Sequence, residues 1–334
     1  MKKKKNKKIS LGPKEGLALI NGTQFMAAFG CLIAIDVKNL LDHADLIGAI
    51  STEAYLGSKS PFDPRLHQIR SHEGCIQTAQ NLTKYLKNSE LMESHKECSR
   101  VQDPYSFRCM PQIHGAVRNA YLHFRETLLV EINSVTDNPN IFIDGEKIEA
   151  ISGGGFHGEP IALALDYIGS ATSILGNISD RRIYLLLGET GEFGLPLYLI
   201  KGSGLNSGFM ITQYLSAALA SENKTSSFPA SADSIPTSNG VEDLVSMGSI
   251  SARKTYRIIQ NTKKILGVEL MCACQALDFR RPLKSSPLIE KCHKFVRKTI
   301  PFIEDDTFLS PLLHEAVQII RSNNLLSLLE NECD

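Results

Sequence analysis

"EPIALALDYIGSATSILGNISDRRIYLLL", Glu159 to Leu187, carries Ile161, Leu165, Ile168, Ala171, Leu175 and Ile178 at three- and four-residue spacing. On a helix of about 3.6 residues per turn, that spacing lays one apolar stripe along a single face. The polar "SDRR" enters only near the C-terminal part, so most of this helix belongs inside a bundle or at a subunit interface. The same reading extends outward along the chain. From Met110 to about Val135, Ile113, Val117, Ala120, Phe124 and Leu128 repeat the stripe. Two further runs, Leu205 to about Lys224 and Val241 to about Asp278, place small and aliphatic residues on almost every face.

Pro282 and Pro287 stop the last long run, after which "SPLIEKCHKFVRKTI" and "PLLHEAVQIIRSNNLLSLL" read as two smaller amphipathic helices. The only β-signal is "PNIFIDGEKIEAI", Pro139 to Ile151, with Asp144-Gly145 as the turn of a hairpin. The expected fold is therefore mainly α, a bundle of long helices with one small β-hairpin. Residues 1–13 are expected to form a basic disordered leader, 14–282 the central bundle, and 283–334 an end of smaller helices.

Composition narrows the function classes. The chain has 334 residues, 43% of them hydrophobic, enough for a large core. Thirty-six basic residues balance thirty-six acidic ones, so no global field draws nucleic acid or an anionic membrane. No apolar run reads as long enough to span a bilayer, and the lysine-rich "MKKKKNKKIS" precedes no apolar signal-peptide core. Eight scattered cysteines include no CxxC and no zinc-ligand spacing, which points to reduced thiols in the cytoplasm and no metal. A small-molecule ligand or another protein is the expected partner.

Four polar clusters stand directly before helices: Leu17 to Gln24, Gln102 to Arg108, Ser152 to Pro160, and Gly202 to Met210. In "QDPYSFR", Asp103 is expected to cap a helix beginning at Pro104. Tyr105 and Arg108 then share one face. An arginine fork matches a carboxylate and a nearby phenol can pass a proton, unless Arg108 pairs with a structural acid and Tyr105 merely packs. In "SGGGFHGEP", His157 is either a base or a packing residue, and Phe156 either lines a pocket or plugs the core. Asn21 offers an amide that both donates and accepts. Glu242-Asp243 opens the run beginning near Val241, where one carboxylate suits the helix dipole and the other is free to face a cavity.

Taken in order, "KEGLALINGTQ", "VQDPYSFRCMPQIHGA", "LLVEINSVTDNPNIF", "SGGGFHGEPIALALD", "GLPLYLIKGSGLNSGFMITQ", "SENKTSSFPASADSIPTSNGVEDLVSMGSISARKT" and "CQALDFRRPLKSSP" resemble the aromatic amino acid ammonia-lyase family, its histidine-acting members in particular. The resemblance covers nearly everything from Lys14 to about Pro287. It implies a long antiparallel helix bundle of the ammonia-lyase and fumarase type, a homotetramer, and active sites assembled from three subunits. It implies elimination of ammonia from L-histidine, giving urocanate, or from a related aromatic amino acid. By resemblance, Asn21 hydrogen-bonds near the prosthetic group and the substrate amine, Gln102 is the active-site glutamine, Tyr105 stands beside the family's electrophile, and Arg108 clamps the carboxylate. Phe156 is the pocket aromatic, and Glu242 the acid placed near the imidazole.

The family's electrophile, a methylidene-imidazolone group, forms from an internal Ala-Ser-Gly. None of the 334 residues spell that tripeptide. The expectation is a C-terminal portion that is inactive alone and gains activity with an N-terminal lyase fragment. The alternative is a non-catalytic helical subunit that co-assembles with an intact lyase and modulates it.

Overall fold

A computed structural model describes residues 8–188 and 194–330. Most of the lysine-rich leader, residues 1–7, lies outside the described residues, as does Cys333. The described part of the chain is mainly α. Its long helices are α2 (Gln24–Tyr55), α7 (Met110–Ile132), α8 (Glu159–Leu187), α9 (Met210–Ser226) and α10 (Gly248–Asp278). Shorter helices stand between and after them: α1 (Glu15–Ala18), α3 (Pro64–Gln68), α4 (Glu73–Tyr85), α5 (Glu90–Ser94), α6 (Tyr105–Arg108), α11 (Pro287–Val296), α12 (Ser310–Ser322) and α13 (Asn324–Glu330). Strands β1 (Asn140–Asp144) and β2 (Lys147–Ile151) pair antiparallel, Asn140 opposite Ile151, around the expected Asp144-Gly145 turn.

Direction in the bundle follows from the contacts. Leu128 meets Gly30 and Met110 meets Gly48, so α7 runs antiparallel to α2. Ser216 bonds to Asp180 and Asn223 to Thr262, so α9 runs against α8 and α10. Thr255 donates to the Leu165 carbonyl at one end of the α8–α10 pair, and Arg182 meets Glu269 at the other, so those two helices run parallel. The N-termini of α2, α8 and α10 consequently gather at one end of the bundle.

α8 begins and ends where its stripe predicts, while three other boundaries differ for local reasons. α9 starts at Met210, after Gly208 adopts φ of 52° beneath the Tyr198 carbonyl, a conformation outside a helix. α10 starts at Gly248 rather than near Val241, because Thr237 and Glu242 first pair across a tight turn and Met247 is left-handed. α7 stops at Ile132, where Asn133 Nδ2 donates back to the Leu129 carbonyl. By length and composition α2 and α8 each contain a window apolar enough to cross a membrane, contrary to the sequence reading. Here both helices contribute to one hydrophobic core, Leu40, Leu46, Ile47 and Ile50 of α2 with Ile161, Leu165 and Ile168 of α8.

Buried charge ties that core together. Glu269 and Arg182 are both fully buried and face each other, Nε at 2.5 Å and Nη2 at 2.9 Å from the two carboxylate oxygens. Ser51 and Ser179 donate to the same carboxylate at 2.7 and 2.5 Å. Asp45 accepts from His114 Nδ1 at 2.8 Å, Arg118 Nη2 at 2.6 Å and Asn81 Nδ2 at 2.8 Å. Burial opposes its ionisation, yet the Arg118 guanidinium and His114 hold the Asp45 carboxyl below the usual range. α4 crosses α7 where two glycines meet: a Cβ on Gly115 would stand 2.4 Å from the Cys75 nitrogen, one on Gly74 2.1 Å from the Gly115 oxygen. Both contacts are with backbone and cannot rotate away. Gly115→Ala is therefore expected to cost about 3 kcal/mol or more, read as a lowered urea midpoint with an unchanged slope.

Glu53 near the end of α2 is buried and accepts at 3.1 Å from the backbone amide of Ser286, whose side chain caps α11. Burial outweighs its hydrogen bonds and pushes its pKa from 4.5 up to about 7. Within that window the folded chain keeps a proton that the unfolded chain releases, so stability falls as pH rises. His43 acts in the opposite sense: burial lowers its pKa from 6.5 to about 4, and stability falls as pH drops through that range. Glu53→Gln keeps an acceptor for Ser286 and removes the titration. It is expected to gain up to roughly 3 kcal/mol over wild type at about pH 8 and little at about pH 5. Thermal unfolding of both proteins at the two pH values checks this.

Candidate active site

One group of predicted site residues gathers at the C-terminal end of α2. Phe107 of α6 stacks on Tyr55 with ring centroids 4.3 Å apart, and the Arg100 guanidinium lies over the Tyr55 ring at 4.5 Å from its centroid. Asp103 does not cap α6. It is buried, accepting from the Ser58 amide at 2.6 Å and from Arg100 Nη1 at 2.9 Å, so it anchors the chain before Pro104 instead. This frame fixes α6. Arg108 then sits 4.6 Å from the centroid of the Tyr105 ring and donates through Nη2 to Gln102 Oε1 at 3.0 Å. Among the described residues Arg108 forms no ion pair, so the structural-acid alternative is not realised.

Gln102 and Arg108 line a cleft of about 890 Å3, together with Gln112, Lys59, Arg70 and Arg100. Its cationic lining favours an anionic group, with Asp103 as the acid on its wall. The Tyr105 ring, 69% exposed, leaves its phenol open to whatever closes that end of the bundle. A separate groove of about 680 Å3, lined by Lys38, Asn39, Tyr121 and Arg125, contains none of the predicted site residues.

The second group lies at the other end. Asn21 is exposed in the turn before α2, its backbone N–H donating to the Leu17 carbonyl at 2.8 Å. Beside it, Gly22 lies against the Thr136 carbonyl, and Lys14 pairs with Asp137 at 2.8 Å. Met26, the third residue of α2, wedges between the starts of α8 and α10: a Cβ on Gly158 would fall 2.3 Å from its Cε, and one on Gly248 2.2 Å from its Sδ. That contact draws "SGGGFHGEP" and the 231–247 loop toward Asn21. His157 donates through Nε2 to the Leu244 carbonyl at 3.0 Å and accepts from the Glu159 amide at Nδ1, so both nitrogens are engaged in packing the two loops. Phe156 beside it is half-buried.

Glu242 does not open a helix, since α10 begins six residues later at Gly248. It rides on the tight turn Ser238–Gly240 within an exposed arm, which Ser234 closes by bonding Val245. Thr237 Oγ1 donates to Glu242 Oε2 at 2.8 Å, and this bond with that of Ser238 holds its carboxyl below the usual range, so it is anionic near neutral pH. Thr237→Val is expected to raise the Glu242 pKa towards the usual carboxylate range, visible in a carboxylate NMR titration.

The two groups therefore stand apart. α2 links them, and its 32 residues span about 48 Å at the 1.5 Å rise of an α-helix. Asn21, Phe156 and Glu242 lie at one end; Gln102, Tyr105 and Arg108 lie at the other. One copy of the chain cannot close a single small-molecule pocket from both groups. Gln112 and Arg100 were missed as cleft residues by the sequence reading. Gln112 lies four residues beyond Arg108, a spacing that could have flagged it.

Residues 1–298 match the aromatic amino acid lyase family model. Histidine ammonia-lyase of Koribacter versatilis is 47% identical over 97% of this chain and 65% of its own length. That of Sorangium cellulosum is 50% identical, over 96% of this chain and 63% of its own length. The crystal structure of histidine ammonia-lyase from Trypanosoma cruzi superposes with a TM-score of 0.88 at 41% identity, covering 97% of this chain and 61% of that one. The chain thus spans just under two thirds of the length of these relatives. The chain belongs to the aromatic amino acid lyase family.

Proposed function

We propose that this chain supplies the substrate-orienting walls of a histidine ammonia-lyase, acting on L-histidine to release ammonia and urocanate. The observation that carries this reading is the split site: two sets of polar residues, each held by a built frame, at opposite ends of one long helix. Copies packed with α2 antiparallel bring the end bearing Arg108 to the end bearing Asn21 and Glu242, as in a homotetramer. The reaction takes place at such a junction. Arg108 holds the carboxylate, positioned by Gln102. Glu242, anionic, accepts the imidazole N–H, and Phe156 packs the ring. Asn21 hydrogen-bonds the amine, and the exposed Tyr105 phenol is placed to move a proton.

Elimination is hard because the β-proton is barely acidic and the amine leaves poorly. The methylidene-imidazolone group supplies the electrophile that overcomes this when present. Its Ala-Ser-Gly precursor is not spelled in these 334 residues, so it comes from other residues, on the same polypeptide or a separate one. Asn21 and Tyr105, the residues assigned to its surroundings, fit it only when contributed by different copies. Binding without that group lowers no barrier. A cytoplasmic setting suits the buried thiols, Cys272 and Cys274 being pushed up to about 12 by burial.

The test is urocanate absorbance with L-histidine. The 334-residue chain alone is expected to give none, and addition of the Ala-Ser-Gly-bearing N-terminal portion of a histidine ammonia-lyase is expected to give turnover. Robust turnover by the chain alone overturns the proposal. Inert mixed assemblies would favour a non-catalytic modulator instead.

A further inference from the structure

Two residues that line the Arg108 cleft each hold a buried polar atom with no hydrogen-bond partner: Arg108 Nε, a donor, and Gln112 Oε1, an acceptor. They belong to one continuous surface. α6 ends at Arg108 and α7 begins at Met110, with the single non-helical residue Cys109 between them, and both Arg108 and Gln112 line the same cleft. Leaving either atom shielded from water and unpaired costs on the order of 1–3 kcal/mol. Retaining both, with opposite hydrogen-bonding character, on two residues that line one cleft is what a site awaiting one ligand with both an acceptor and a donor looks like.

We propose that Gln112 is a further substrate-positioning residue: its Oε1 accepts a hydrogen bond from the ammonium of an α-amino acid whose carboxylate is held by Arg108. This rests on the reading of the cleft as the amino acid site and deepens it, since it divides recognition between two residues. An α-amino acid carries its acceptor and donor on adjacent carbons, which suits two groups four residues apart in one cleft. The guanidinium then recognises any carboxylate, whereas Gln112 distinguishes an amino acid from its deaminated counterpart. The Arg108 side can bind an unsaturated product acid equally well, but the Gln112 acceptor is left unpaired by it, which favours product departure after ammonia has gone.

The experiment measures affinities of the full chain for two probes, L-histidine and imidazolepropionate, which differ by the amine. Wild type is expected to bind L-histidine about tenfold more tightly than imidazolepropionate. Gln112→Met keeps the volume and removes the acceptor, and is expected to reduce that preference to about twofold or less while leaving imidazolepropionate binding nearly unchanged. Gln112→Glu retains an acceptor and is expected to keep the preference. A third readout needs no variant: the Gln112 side-chain amide 15N resonance of wild type should shift with L-histidine and not with imidazolepropionate. An unchanged preference in Gln112→Met, or a Gln112 resonance blind to L-histidine, overturns the proposal. Wild type that binds imidazolepropionate and lacks any preference for the amine overturns it too, while sparing the Arg108 cleft. Wild type that binds neither probe removes both this proposal and the amino acid reading on which it rests.

Discussion

Arg182→Met is expected to lower the unfolding free energy by about 3–5 kcal/mol, the range for breaking a buried ion pair from one side. The replacement fills most of the arginine's volume but leaves Glu269 charged, fully buried and supported only by the hydroxyls of Ser51 and Ser179. The loss comes from the stranded carboxylate more than from the attraction removed. The double variant Arg182→Met with Glu269→Leu is therefore expected to be more stable than Arg182→Met alone, a sign that simple loss of packing does not give. Urea unfolding of wild type and both variants checks it. The effect reaches the site as well, because Arg182 Nη1 donates to the Ser106 carbonyl at 3.2 Å and so helps to hold α6, where Tyr105 and Arg108 stand.

Arg108→Met is the second large effect. It removes a guanidinium that lines the cleft and forms no ion pair among the described residues, while the Tyr55–Phe107 stack and the Asp103 anchor that build α6 stay in place. Turnover of L-histidine by the complemented assembly is expected to drop about a hundredfold or more in kcat/KM, since a charge-assisted carboxylate clamp is lost. Arg108→Lys restores the charge but not the fork, and is expected to recover only part of it. A thermal midpoint close to wild type separates this loss from unfolding.

Legibility of the sequence followed how cleanly each segment sorts polar from apolar residues. α8 reads correctly at both ends because its stripe is unbroken from Ile161 to Ile178. The hairpin reads correctly because Asp144-Gly145 is a turn whatever surrounds it. α2, the longest helix, did not stand out. Asp36, Asp45 and Glu53 interrupt its apolar pattern, and each of the three is satisfied only by distant residues: Lys263, Arg118 and Ser286. No local pattern announces such partners. Asp103 looked like a cap for the same reason, since its true partners, Ser58 and Arg100, come from a neighbouring loop. Glu242 was placed at a helix start, and the tight turn that delays the helix depends on left-handed residues that composition only hints at. The division of the site between the two ends of α2 was invisible in a linear text, because it depends on the direction of every helix in the bundle.

That division is the central claim, and hybrid assemblies test it most directly. A chain carrying Arg108→Met keeps the Asn21 end intact, and a chain carrying Asn21→Ala keeps the Arg108 end intact. Each variant alone, supplied with the Ala-Ser-Gly-bearing portion under conditions where wild type is active, has no complete site and is expected to be nearly inert. Unfolded together and reassembled, the two variants are expected to recover up to about a quarter of wild-type turnover, because some junctions then join two unaltered ends. Hybrids that form yet recover nothing beyond the sum of the two variants would contradict a site built from opposite ends of separate copies.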